Sequence, residues 1–214
     1  MGFPSILLVH GAATAAAVWE PMLALMGDLD VLAVERPCSG DLDTELAALA
    51  PLAEGAFVVG VSGGATLTLA LAASPVTLAG GIAHEPAVGS LVPGLLAPMA
   101  AAFAEGGTPR FAQALYGPRW RPELGPVDPG AVARELSMFR AFEPAPARPG
   151  QGPVLVTVGS DSPAPRHAAG SALESRLGYE TAVLPGCRHF LPQENPEALV
   201  RLIRVRLATA SAVR

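Results

Sequence analysis

Residues 57 to 73, reading FVVGVSGGATLTLALAA, take the chain from a buried strand into a helix with almost no connecting loop. Phe57 to Val61 are apolar and rich in β-branched residues, the composition of a strand covered on both faces. From Ala65 to Ala73 small residues and leucines alternate, as in a helix packed on that strand. Between them stands Gly60-Val61-Ser62-Gly63-Gly64, a G-x-S-x-G spacing. So abrupt a junction puts Ser62 in a strained backbone conformation, and side chains at 60 and 64 would collide across the turn. The Ser62 hydroxyl is thereby thrust into open space, which makes it a candidate nucleophile.

Gly55 to Ala83 carries no charge and is longer than a bilayer requires. Ser62, Gly63, Gly64 and Pro75 break it into strand-sized and helix-sized pieces, which fits a buried βαβ unit better than a membrane span. The same alternation recurs along the chain. Strands are expected at Ile6 to Val9, Val31 to Val34, Phe57 to Val61, Val76 to Ala83, Val154 to Val158 and Glu180 to Leu184. Helices are expected from near Val18 to Gly27, from Asp41 to about Ala53, over Ala164 to Leu177, and from Pro196 onward. Strands alternating with helices through short loops predict an α/β fold, a mostly parallel six-stranded sheet with helices on both faces. Residues 86 to 152 break the pattern. They hold no convincing strand, are crowded with proline and glycine, and offer helical pieces near Leu95 to Ala104, Pro109 to Tyr116 and Ala131 to Phe142. One domain, 1–214, with 86–152 inserted in it, is the expected organisation.

Half of the 214 residues are hydrophobic but only 5% are aromatic, so alanine, leucine and valine must build the core. A net charge of −5 argues against a nucleic-acid partner. All 14 basic residues are arginines, which leaves no lysine for Schiff-base or general-base work. Cys38 and Cys187 lie far apart and in no metal-ligand spacing, so no metal, cofactor or disulfide framework is indicated. Reduced thiols and an N-terminus without a targeting pattern are read as cytoplasmic.

In an open parallel sheet, ligands gather at the carboxyl ends of the strands. The residues found there are His10, Ser62, His84, Glu85, Asp161 and His189. A serine hydroxyl needs a base within hydrogen-bond reach, and that base needs an acid to hold its tautomer. His189, at a strand exit, can be the base. Asp161, ending Gly159-Ser160-Asp161, is the expected acid, and Glu85, beside Pro86 at the start of the insertion, is the rival. For an oxyanion, the Gly63 N–H is available at the start of the helix, and Ala12, after His10-Gly11, is the expected second donor.

Leu8-Val9-His10-Gly11, the G-x-S-x-G segment, Gly159-Ser160-Asp161 and Cys187-Arg188-His189-Phe190 together resemble the α/β-hydrolase fold family over nearly the full length. The resemblance implies Ser62 as nucleophile, Asp161 as acid, His189 as base, Ala12 and Gly63 as oxyanion donors, and 86–152 as a helical cap. Glu35 to Asp41 departs from the family's usual Asp-x-x-Gly-x-Gly-x-Ser, and the N-terminal antiparallel strands are missing. A serine at position 62 disfavours the aspartate-nucleophile epoxide hydrolases and haloalkane dehalogenases. The absence of lysine disfavours hydroxynitrile lyase chemistry.

The expected activity is hydrolysis of small to medium, mainly apolar carboxylic esters, or thioesters, through an acyl-enzyme on Ser62. The alternatives are a non-catalytic binding protein on the same scaffold, and a C–C hydrolase or cofactor-free oxygenase using the same residues. The uncharged stretch Pro86 to Ala104 could line an apolar pocket. Arg119-Trp120-Arg121 could hold an acidic substrate or form a solvated patch.

Overall fold

The structure, a computed structural model, describes residues 3–212. Six strands, β1 (Ile6–Val9), β2 (Val31–Val34), β3 (Phe57–Val61), β4 (Gly80–His84), β5 (Val154–Gly159) and β6 (Glu180–Leu184), form one sheet in the order β2-β1-β3-β4-β5-β6. Every neighbouring pair is parallel, so the sheet is parallel throughout. The central strands β1, β3, β4 and β5 are buried along their whole length, as expected of strands covered on both faces. The edge strands β2 and β6 are only partly buried.

Helices α1 (Glu20–Leu23), α2 (Leu42–Ala53), α3 (Gly63–Ala73), α6 (Ala164–Leu177) and α8 (Pro196–Ala212) flank the sheet, and α7 (Leu191–Glu194) leads into α8. Asp41 caps α2, its carboxylate accepting from the Thr44 N–H at 2.9 Å. Between β4 and β5 lie α4 (Ala97–Tyr116), α5 (Ala131–Ala141) and short 3-10 turns, a helical cap insertion. Helix α4 is two pieces meeting at Gly106 and Gly107; Gly107, at φ 61° and ψ −153°, has a conformation open to glycine alone. The two cap helices expected at Leu95 to Ala104 and Pro109 to Tyr116 are the halves of this kinked helix.

Two sequence expectations need correcting. The fourth strand begins at Gly80 rather than Val76. The Leu78 N–H and the Val76 carbonyl are taken by the amide of Gln151, at 2.8 and 2.6 Å, instead of joining the ladder. The first helix, expected from Val18 to Gly27, is a 3-10 turn (Ala16–Trp19) followed by the single turn of α1. The uncharged run from 55 to 83 is divided among β3, α3 and β4, and among the described residues no helix is long and apolar enough to cross a membrane.

The junction of β3 with α3 sets the rest. Ser62 has φ 60° and ψ −122°, a strained position for a residue with a side chain. A Cβ on Gly60 would lie 2.2 Å from the Gly64 carbonyl oxygen, and one on Gly64 would lie 1.9 Å from that of Val9. These two glycines let the first turn of α3 press onto β3 and β1, and no larger residue fits. Gly64→Ala should therefore destabilise the fold by about 2 kcal/mol or more. Gly27→Ala, whose added Cβ meets nothing within 4 Å, should change stability by less than about 0.5 kcal/mol. Urea unfolding of the pair checks this, and equal midpoints would contradict the packing argument.

Candidate active site

The carboxyl ends of β1, β3, β4 and β6 converge on Ser62. The residue following β4 is Glu85, whose positive φ of 53° turns its side chain inward, where it is 2% exposed. Its Oε2 accepts from His189 Nδ1 at 2.7 Å and its Oε1 from the Gly159 N–H at 2.9 Å. Burial raises the carboxyl pKa, but the His189 hydrogen bond, with the Arg166 charge beside it, overcomes it and holds the group well below the usual carboxylate range. Glu85 is therefore an anion that accepts, and His189 carries its proton on Nδ1. His189 Nε2 is left free as a base, buried and without a hydrogen-bond partner among the described residues.

Asp161, the acid expected from sequence, does not reach the imidazole. Its side chain is exposed and accepts from the hydroxyl of Ser160 at 2.8 Å, while its backbone N–H donates to Cys187. The turn holds Asp161 at the rim of the sheet, and a short side chain pointed at solvent cannot span to His189. The carboxylate on the imidazole is the rival, Glu85. Its longer side chain, starting one strand closer to Ser62, runs beneath Gly159.

His84, at the end of β4, also supports the base. It is fully buried, with Nδ1 3.0 Å from Thr157 Oγ1 and Nε2 3.0 Å from the Arg188 carbonyl oxygen. A carbonyl can only accept, so Nε2 is the protonated nitrogen and Nδ1 accepts from the threonine. Burial lowers its pKa and keeps it neutral. Its bond to Arg188 fixes the backbone immediately before His189.

The first loop is held from below by Arg36. Its Nε donates to the His10 carbonyl at 3.0 Å and its Nη2 to the Gly11 carbonyl at 3.3 Å. Gly11 O also accepts from Thr14 Oγ1 at 2.9 Å and faces His10 Nδ1 at 3.1 Å. In a trans peptide the N–H points opposite the carbonyl. Donors gathered on Gly11 O therefore turn the Ala12 N–H away from them, and the Ala12 nitrogen lies 3.2 Å from where a Cβ on Gly63 would stand. The Ala12 nitrogen thus lies close beside Gly63, the residue that follows Ser62. Arg36 is buried together with its two carboxylate partners, Glu45 at 2.8 Å and Glu135 of the cap helix α5. Burial raises the Glu135 pKa against the pull of Arg36.

Tyr116, at the end of α4, closes the site from the cap. Its hydroxyl donates to the Ala12 carbonyl at 2.6 Å and stands beside Ser62, both bordering the space that a Cβ on Gly11 would fill. Its ring stacks on His189 with centroids 5.6 Å apart and planes 20° from parallel. Ser62 thus lies next to Tyr116, whose ring covers the base. Of the Arg119-Trp120-Arg121 group, Trp120 is buried and donates to the Ala13 carbonyl at 2.8 Å, while Arg119 lies exposed against the Gln193 carbonyl. It clamps the cap to the first loop and does not reach the cleft.

The cleft at Ser62 is bounded by Ala12, Gly63, Ala87, Leu96, Met99, Phe111, Leu115, Leu136 and Phe139, with Thr66, Glu85 and Arg166 as its polar groups. Pro86 to Ala104 supplies three of these apolar residues, as its composition led one to expect. Tyr116, Arg36, His84 and Arg166 carry no motif that marks them in the sequence. The usable signal was their position: His84 and Arg36 each lie within two residues of a strand's carboxyl end. Among the described residues no group of three or more His, Cys, Asp or Glu side chains could hold a metal ion.

A family model described as the alpha/beta hydrolase family matches residues 6–202. No curated protein matches the chain. Among solved structures it is similar to the enol-lactonase from Burkholderia xenovorans LB400, at 20% identity over 97% of this chain and 92% of that one, with a TM-score of 0.70. It is also similar to a thermophilic esterase from Thermogutta terrifontis, at 20% identity over 98% and 92% of the two chains, TM-score 0.68. A lipase-esterase related protein from Clostridium acetobutylicum ATCC 824 superposes with a TM-score of 0.74 at 12% identity, covering 94% and 93%. At such identities the likeness is one of fold. The family match itself runs from β1 into α8 and takes in every residue of the site described above, so the chain belongs to the alpha/beta hydrolase family.

Proposed function

We propose that this protein is a serine hydrolase that cleaves carboxylic esters, or thioesters, of small to medium and mainly apolar character. The observation that carries the reading is the buried Glu85–His189 hydrogen bond of 2.7 Å beside a strained Ser62. With a substrate in the cleft the Ser62 hydroxyl turns toward His189 Nε2, which takes its proton as Ser62 Oγ attacks the carbonyl carbon. The oxyanion receives the N–H groups of Gly63 and Ala12. Glu85 stabilises the imidazolium, which then protonates the leaving alcohol or thiol. Water, deprotonated by the same nitrogen, releases the acid from Ser62.

Residues 86–152 act in this reading as the cap of a single domain, 1–214, whose partner is a small molecule rather than nucleic acid or a membrane. The two thiols, both free, support a cytoplasmic setting. A second reading, a binding protein that turns its ligand over negligibly, is favoured by the unpartnered His189 Nε2, which no hydrogen bond joins to Ser62.

Three outcomes are expected. An activated phosphonate should label Ser62, and short p-nitrophenyl esters should be hydrolysed; binding of such esters without labelling or turnover would favour the second reading. Glu85→Gln should lower kcat by about 10³-fold or more, because the histidine loses its tautomer, whereas Asp161→Asn should change it by less than about threefold. Steady-state kinetics of the two variants decides the acid, and the reverse order would restore Asp161.

The third outcome concerns pH. Burial, and then the Arg166 charge, push His189 down from 6.5 to about 4 against the pull of Glu85. The working base is the neutral form, and a lowered pKa keeps it neutral further into acid. The rate on a neutral ester should therefore stay level from about pH 8 to about pH 5.5, rather than falling through the ordinary histidine value near 6.5. An acid limb centred on 6.5 in a kcat/KM profile would contradict the burial argument.

A further inference from the structure

Arg166, on the first turn of α6, is among the described residues the one cationic side chain in a cleft walled mainly by apolar groups, with Thr66 and Glu85 as its other polar lining beside Ser62. Its side chain is only 9% exposed. Of its several N–H groups, a single one is used within the protein: Nη1 donates to the Glu85 carbonyl at 3.1 Å. Nε stands 3.7 Å from Glu85 Oε2, beyond hydrogen-bond distance, and Oε2 is already taken by His189. Nothing else among the described residues accepts from this guanidinium. The unused Nε and Nη2 are not sealed in the interior, since neither is among the buried side-chain atoms without a partner, so they keep access to the cleft. A site that retains them is built for an oxygen that arrives with the ligand.

We propose that Arg166 is a specificity-determining residue, and that the acyl chain of the substrate carries a second oxygen acceptor, a carboxylate or a keto oxygen, a few atoms from the scissile carbonyl. The proposal rests on the ester-hydrolase reading and narrows its substrate class. The guanidinium fork suits a carboxylate bidentately and a ketone through one N–H. Its charge is partly met by Glu85, so either acceptor is accommodated. The apolar walls, Leu96, Met99, Leu115 and Phe139 among them, hold the methylenes between the two oxygens. A wholly alkyl chain of the same shape leaves the Arg166 donors buried and unpaired, and a site built to hydrogen-bond its ligand rejects such an analogue.

Methyl esters test this, because their leaving group is too small to fill the cleft and the acyl chain must do so. Monomethyl glutarate is compared with its shape match methyl 5-methylhexanoate, and methyl 4-oxopentanoate with methyl 4-methylpentanoate. In each pair the oxygen acceptor is the difference. The wild-type protein should favour the oxygen-bearing ester in kcat/KM in at least one pair, the acid pair if a carboxylate is the natural group and the keto pair if a carbonyl is. Arg166→Met should lower that ratio by about tenfold or more, and Arg166→Lys should restore part of it. Because Arg166 also acts on His189, both substrates lose rate in the variant, and that common loss cancels in the ratio. A wild-type preference for the alkyl ester in both pairs, or a ratio indifferent to Arg166→Met, overturns the proposal. Affinities of the same esters for a Ser62→Ala protein, read by calorimetry, separate the two claims. An Arg166-dependent preference in binding with no turnover by the wild type would retain this inference and refute the hydrolase.

Discussion

Taking the Glu85 carboxylate out of water would be prohibitive unless its oxygens were met by donors, and the architecture of the site follows from meeting them. One donor is a backbone amide, Gly159, at the end of β5, and the other is the imidazole of His189 after β6. Glu85 itself follows β4, so a single side chain ties three adjacent strand ends together. A Cβ on Gly159 would lie 2.2 Å from the Cys187 carbonyl oxygen, so the close approach of the two loops that brings the imidazole over Glu85 depends on glycine there. The imidazole acquires a fixed tautomer as a consequence of satisfying the carboxylate. Stability and chemistry share the same hydrogen bond.

The other half of the site is organised around a buried cation. Arg36 sits beneath the His10-Gly11 carbonyls and is balanced by Glu45 from α2 and Glu135 from α5. The orientation of the Ala12 amide is therefore tied both to the sheet and to the cap. Tyr116 and Trp120, donating to the carbonyls of Ala12 and Ala13, add two further links between cap and first loop. A ligand that shifts the cap must move against these bonds.

Most of this frame could be read from the chain. The glycines at 60 and 64, the apolar strand before them and the small-residue helix after them permit one local geometry, and the positions of Ser62 and His189 follow from strand ends. The acid could not be read so directly. Asp161 stands in a Gly-Ser-Asp setting that looks suited to the task, but what matters is where the side chain points, and the turn there aims it at solvent. Glu85 looks like a junction residue because Pro86 follows it. Its positive φ, invisible in the sequence, is what turns it inward. One signal was present: Glu85 ends the long uncharged stretch that begins at Gly55, and a carboxylate emerging from the most buried strands of a sheet needs partners there. Tyr116 and Arg166 come from distant helices, and tertiary packing alone brings them to Ser62.

The central claim is that Glu85, and not Asp161, fixes His189 with its proton on Nδ1 and Nε2 free. Nitrogen NMR of the histidine rings in protein at neutral pH reports it directly. The account predicts a His189 ring protonated at Nδ1, with a strongly deshielded proton that survives in Asp161→Asn and vanishes in Glu85→Gln. A His189 proton on Nε2, or a signal lost in Asp161→Asn and retained in Glu85→Gln, would contradict it.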